Sequence, residues 1–285
     1  PELAVASTAA LAGHPELSVN DLLGSAAINV LIIALADAAI GRDAITSVVA
    51  SPHVLLQGVL GIVLLAVVAC AAISVDVAIL GASAWTWTLL ALYGASVWII
   101  ARSHSGQVWK PVPAAVRGQK GSSSASHRSS LGKLVRRTIF AGAIVLVAGF
   151  FLAKTAEAIA AQTGLGTSFV GAVLLAASTS LPEVSTVLAA VRLRQYEMAL
   201  SDVLGTNLFN VTIIFVVDLL YDGEPVLAKV GAFAAVGALL AIVLTGLFLV
   251  GMIERRDRTL VRMGPDSLVA IAMYLAGVLV LYQLR

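Results

Sequence analysis

The hexapeptide STSLPE, Ser178 to Glu183, gathers oxygen in a stretch that is otherwise apolar. Pro182 has no N–H to give to the Ser178 carbonyl, and its ring clashes there, so a helix running through this point must break or kink. A break frees backbone carbonyls, Thr179 and Ser180 add hydroxyls, and Glu183 adds a carboxylate. Such a set of hard oxygen ligands suits Na⁺ and Ca²⁺ and does not suit soft metals.

The same chemistry occurs twice. When the chain is slid against itself by 181 positions, Pro1 to Asp37 falls on Pro182 to Asp218 without a gap. Pro1/Pro182, Glu2/Glu183, Glu16/Glu197, Asp21/Asp202, Gly24/Gly205, Asn29/Asn210 and Asp37/Asp218 coincide. Apolar identities between membrane helices are cheap, whereas matched ionisable residues, costly in lipid, mark function. Glu2 and Glu183, as a duplicated Pro-Glu pair, are therefore the leading ligand candidates. Asp21, Ser25 and Asn29 are spaced i, i+4, i+8, as are Asp202, Thr206 and Asn210, so each set forms one polar helix face. Interhelical hydrogen bonding would explain Ser25 and Thr206 alone, but the repeated Asn29 and Asn210 read as ligands.

The remaining acids carry weaker expectations. Asp21 and Asp202 are expected to start their helices, where capping and an ion-entry role compete. Asp37 and Asp218 are expected to end theirs, lining vestibules, while Glu16 and Glu197 are expected in solvated loops. Cys70 is the one cysteine; alone in an apolar run, it reads as a buried, inert thiol with no disulfide or zinc role. The four histidines fall in expected loops, which argues against a histidine metal site. Trp85, Trp87 and Trp98 fit interfacial anchoring.

These residues need a frame that lipid surrounds. Hydrophobic residues make up 59% of the 285 and charged ones 12%, far from the balance of a soluble domain. A span needs about 20 apolar residues, which places spans near 19–40, 54–74, 77–101, 138–160, 165–192, 198–221, 225–251 and 267–284. All are read as helices, since isolated apolar segments must satisfy their backbone internally. The expected fold is thus an all-α polytopic membrane protein of about eight full transmembrane helices plus a partial first one, residues 1–12. The chain begins at a proline inside the repeated motif and reads as lacking its true N-terminus.

Three parts follow: a first half, 1–101, with the first repeat truncated; a linker, 102–137; and a second half, 138–285. The linker carries Arg102, Lys110, Arg117, Lys120, Arg128, Lys133, Arg136 and Arg137 with no Asp or Glu. The positive-inside rule makes it cytoplasmic. That choice leaves Lys154, Lys229 and Arg285 as the only basic residues on the other side. Five crossings then separate spans 19–40 and 198–221, so the two repeats run oppositely through the bilayer. Inverted repeats with interrupted helices and a midplane site are a recurrent plan of secondary transporters.

With these residues in hand, the chain resembles the cation/Ca²⁺ exchanger superfamily, in particular its sodium/calcium exchangers. That family's α-repeats carry a G-T-S-x-P-E-like motif followed by a G-S-N-x-F-N-like motif. STSLPE and LGTNLFN (204–210) match the second repeat, and PE (1–2) and LGSAAIN (23–29) match the first. The resemblance implies a ten-helix inverted-repeat fold, N-terminally truncated here. It also implies Na⁺/Ca²⁺ antiport by alternating access, with Glu2 and Glu183 as central carboxylates. Thr179, Ser180, Ser25, Thr206, Asn29 and Asn210 would surround them, the hydroxyl residues with a Na⁺-linked role. The sequence departs from the motif in Ser178 for glycine, in Asn210 where some members have aspartate, and in Asp21 and Asp202 where asparagine is usual.

The implied partners are the bilayer and the transported Ca²⁺ and Na⁺, with no resident cofactor and no nucleic acid. The alternative within this architecture is H⁺/Ca²⁺ exchange, because a buried Glu can carry a proton. A passive channel would need a continuous polar lining, which is absent. A membrane enzyme would need a nucleophile–base pair or a redox site, and the spans hold no histidine and one unpaired cysteine. The expected location is an inner or plasma membrane.

Overall fold

A computed structural model describes residues 1–40, 51–103, 131–254 and 263–285. Within them the helices are α1 (Glu2–Leu11), α2 (Pro15–Ile40), α3 (Pro52–Ala71), α4 (Ala84–Ser103) and α5 (Leu131–Thr163). They continue as α6 (Thr167–Thr179), α7 (Leu181–Arg192), α8 (Tyr196–Leu220), α9 (Val226–Glu254) and α10 (Pro265–Gln283). Seven of them are long and apolar enough to cross a membrane, and the bent pair α6–α7 makes up to eight. The chain is an all-α polytopic membrane protein.

Burial orders the bundle. In α2, 89% of the most apolar stretch is buried and in α8 67%, against 17% in α4, α5 and α10. The repeat helices α2 and α8 are thus the most buried of the seven spans, while α4, α5 and α10 leave most of their apolar residues at the bundle surface. Helix α1 packs on α8, while α7 packs on α2, so each repeat's first helix leans on the other repeat's second.

The repeat register extends beyond the residues that announced it. The turn closing α1 places His14 N–H on Ala9 O at 2.9 Å and Gly13 N–H on Ala10 O at 3.0 Å. The turn closing α7 does the same, with Gln195 N–H on Ala190 O at 2.8 Å and Arg194 N–H on Val191 O at 2.9 Å. Both are αL helix stops, with Gly13 at φ 84° and Arg194 at φ 57°. Helices α4 and α10 begin at Ala84 and Pro265, in the same register. Within α9 the backbone breaks at Gly231 (φ 57°), close to the position that matches the start of α3.

Several expectations are corrected. A hairpin of two-residue strands, β1 (Ala78–Ile79) and β2 (Ala82–Ser83), precedes α4; its apolar residues had merged with the expected span 77–101. Leu131 to Arg137 of the expected linker are helical, forming the first turns of α5. Glu16 and Glu197 stand in the first turns of α2 and α8, not in loops, and Glu16 pairs with Lys229 at 3.5 Å. His53 belongs to the first turn of α3, while His104 and His127 lie outside the described residues. Cys70 is exposed on the bundle surface, because the strongly apolar α3 turns much of itself outward.

Asp37 and Asp218 do not line vestibules. The Asp37 carboxylate accepts from Gly264 N–H and Ser267 Oγ, both at 2.7 Å, at the start of α10. Asp218 accepts from Ser83 N–H at 2.6 Å and Thr86 Oγ1 at 2.7 Å, at the start of α4. It also takes Val226 N–H at 2.8 Å, at the start of α9. A buried carboxylate at a helix N-terminus satisfies backbone donors and the dipole together. Asp37 thus holds the start of α10, and Asp218 the start of α4.

Candidate cation site

The break expected at Pro182 is present. Helix α6 ends at Thr179, α7 starts at Leu181, and the two are bent by 42°. Ser180 at the corner has φ −84° and ψ 3°, and Pro182 sits in the first turn of α7, where its missing N–H costs nothing. A feature without a sequence signal precedes the break: Val170–Leu175 is π-helical, a device that often lies near functional sites.

Around this corner the expected ligands gather in two groups. In one, the Thr179 hydroxyl donates to Asp21 Oδ1 at 3.0 Å, and it also lies 3.2 Å from Ala176 O. Ser25 Oγ is 3.1 Å from Thr179 Oγ1; with Thr179 donating to Asp21, Ser25 is the donor. In the other group, Asn210 Nδ2 makes a long contact, 3.5 Å, to Glu2 Oε1. Glu2 and Glu183, in the first turns of α1 and α7, are both buried. Among the described residues, no three Asp, Glu, His or Cys side chains converge on a single point.

Close packing makes this geometry possible. A Cβ on Gly24 would run into the Ala172 backbone, so α2 and α6 touch at backbone distance, which only glycine permits. Asn29 Nδ2 donates to Asn207 Oδ1 at 2.9 Å, and Asn207 Nδ2 donates to Ala26 O at 3.0 Å. Asn207 thereby orients Asn29 and ties α8 to α2. It was missed because its repeat partner is Ala26, although its place inside LGTNLFN was a signal.

Burial separates the candidates. Glu2, Asn29, Asn210, Ser25, Thr179, Ser180 and Glu183 are all buried, while Thr206 is half-buried. Asp21 does not start α2: it lies well inside the helix and has no exposed surface. Asp202 likewise lies inside α8 but is exposed, accepting from Thr186 Oγ1 at 2.7 Å. The buried oxygens that have no hydrogen-bond partner among the described residues include Asp21 Oδ2, Asn29 Oδ1, Ser180 Oγ and Glu183 Oε2. Unpaired hard oxygens of this kind are what an alkali or alkaline-earth cation coordinates.

The family model for the sodium/calcium exchanger protein matches residues 135–283, just over half the chain, and spans the whole of α6 to α10. The chain belongs to the sodium/calcium exchanger family. No curated protein and no solved structure matches it. Membership of this transporter family makes the bilayer and transported cations its partners. STSLPE and LGTNLFN lie within the matched region, and the residues of the first repeat correspond to them at an offset of 181 positions.

Proposed function

We propose that the chain is a secondary active antiporter that exchanges Na⁺ for Ca²⁺ by alternating access. Glu2 and Glu183 serve as the central carboxylates, with Ser180, Asn29 and Asn210 beside them and Ser25, Thr179 and Thr206 lending hydroxyl oxygens. The observation that carries this reading is the set of buried, unpartnered oxygens at and beside a helix break, Ser180 Oγ, Glu183 Oε2 and Asp21 Oδ2. Irregular backbone at membrane depth is tolerated where it is enclosed by protein, and broken helices are the usual place for coupling ions in transporters.

Two carboxylates balance one Ca²⁺ or two Na⁺, so a carrier emptied of ions buries net charge. Uncompensated buried charge costs several kcal/mol, which opposes crossing without cargo and couples the two fluxes. The basic linker 102–137 lies on the cytoplasmic side in this reading, and the membrane is an inner or plasma membrane. The test is ⁴⁵Ca²⁺ uptake into vesicles holding the full-length protein. An outward-directed Na⁺ gradient should drive uptake; uptake driven by a pH gradient alone would replace Na⁺ with H⁺ as the coupling ion.

A further inference from the structure

Asp21 is a buried acid that serves neither the central carboxylate pair nor, like Asp37 and Asp218, the start of a helix. It has no exposed surface, and among the described residues no lysine or arginine forms an ion pair with it. One oxygen takes the Thr179 hydroxyl, while the other has no hydrogen-bond partner. Helix capping does not account for it, since it lies well inside α2. Nor does packing need the charge, because an asparagine oxygen would accept from Thr179 equally well. An ionisable group held inside a membrane bundle with no lysine or arginine partner is by default functional.

The surroundings define what it could hold. Ser25 and Thr179 place two hydroxyl oxygens beside the carboxylate. Among the described residues no three acids converge on a single point. One carboxylate with neutral oxygens balances a single positive charge, whereas a divalent ion would leave a buried excess. We propose that Asp21 is the carboxylate ligand of a Na⁺ subsite completed by the Ser25 and Thr179 hydroxyls, beside the Glu2–Glu183 pair and distinct from it. Asp202, its repeat partner, is exposed and makes no equivalent subsite. The repeat symmetry then ends at this subsite, which draws Asp21 and Ser25 from the first repeat and Thr179 from the second.

This inference rests on the exchange reading above, and the test separates the two. With full-length protein in detergent, bound ⁴⁵Ca²⁺ is displaced by NaCl at constant ionic strength made up with choline chloride. Asp21→Asn keeps the acceptor for Thr179 and removes only the charge; it should raise the NaCl midpoint about tenfold while shifting the Ca²⁺ Kd far less. Asp21→Glu keeps the charge one methylene away and should raise the midpoint about threefold; it decides the matter alone if D21N does not fold. An unmoved midpoint in the variant tested overturns the subsite, as does wild-type protein that binds Ca²⁺ but releases none to NaCl. Wild-type protein that binds no Ca²⁺ overturns the exchange reading, and the subsite with it.

Discussion

The two repeats share a register and a chemistry but not an environment. On α2 the polar face is covered by α6, so Asp21 and Ser25 are fully buried. On α8 the matching Asp202 is exposed and Thr206 half-buried. The glycines tell the same story, for Gly24 is pressed on the Ala172 backbone, while a Cβ on Gly205 would meet only the Gln57 side chain at 3.7 Å. A motif residue therefore has no fixed role of its own. What packs on its helix decides whether it is a ligand, a spacer or a solvated polar group.

The comparison is most exposed to failure at the glutamates, where the repeats should agree. In the proposed site Glu2→Gln and Glu183→Gln would each remove half the counter-charge of a divalent ion, and each should weaken Ca²⁺ binding about a thousandfold. Asn210→Ala deletes a neutral ligand and should cost about tenfold. Equilibrium ⁴⁵Ca²⁺ binding measures all three, and near-normal affinity in either glutamine variant would remove the shared site.

At the glycines the repeats should disagree. Gly24→Ala forces a methyl group into backbone and should destabilise by about 3 kcal/mol. Gly205→Ala should be neutral or stabilise by up to about 1 kcal/mol through helix propensity. Thermal unfolding in detergent reads the contrast, and equal losses would erase it.

Asp37→Ala and Asp218→Ala should match again, each losing about 2 kcal/mol as buried helix-start donors go unsatisfied. Unfolding midpoints of the two variants test that symmetry. The smallest effect belongs to the turns. Arg194→Gly gives the second turn the residue that the first already has at its αL position, and should stabilise by about 1 kcal/mol. A lowered midpoint would mean that the Arg194 side chain holds something its backbone does not reveal.

The break at Pro182 and the polar faces were legible in the sequence, because a missing N–H and a spacing of four act locally. Depth was not legible: the same aspartate is buried on α2 and exposed on α8, and only the neighbouring helix distinguishes them. The hairpin before α4 was hidden because its residues are as apolar as a span. The roles of Asp37 and Asp218 escaped because their partners, Gly264 with Ser267 and Ser83 with Thr86, share position but hardly identity between the repeats. Backbone donors leave no trace in residue type.

Those two acids also set a schedule for biosynthesis. Asp218 closes on Ser83 and Thr86, which are already made when it emerges from the ribosome. Asp37 must wait for Gly264, 227 residues later, and at about 5–20 residues per second that is a delay on the order of tens of seconds. Until then the first half is in the bilayer without the contact that seats α10. Neither half can complete its own set of clasps, so halves expressed apart should be unstable and halves expressed together should find each other. On that account the two repeats fold as an obligate pair carried on one chain.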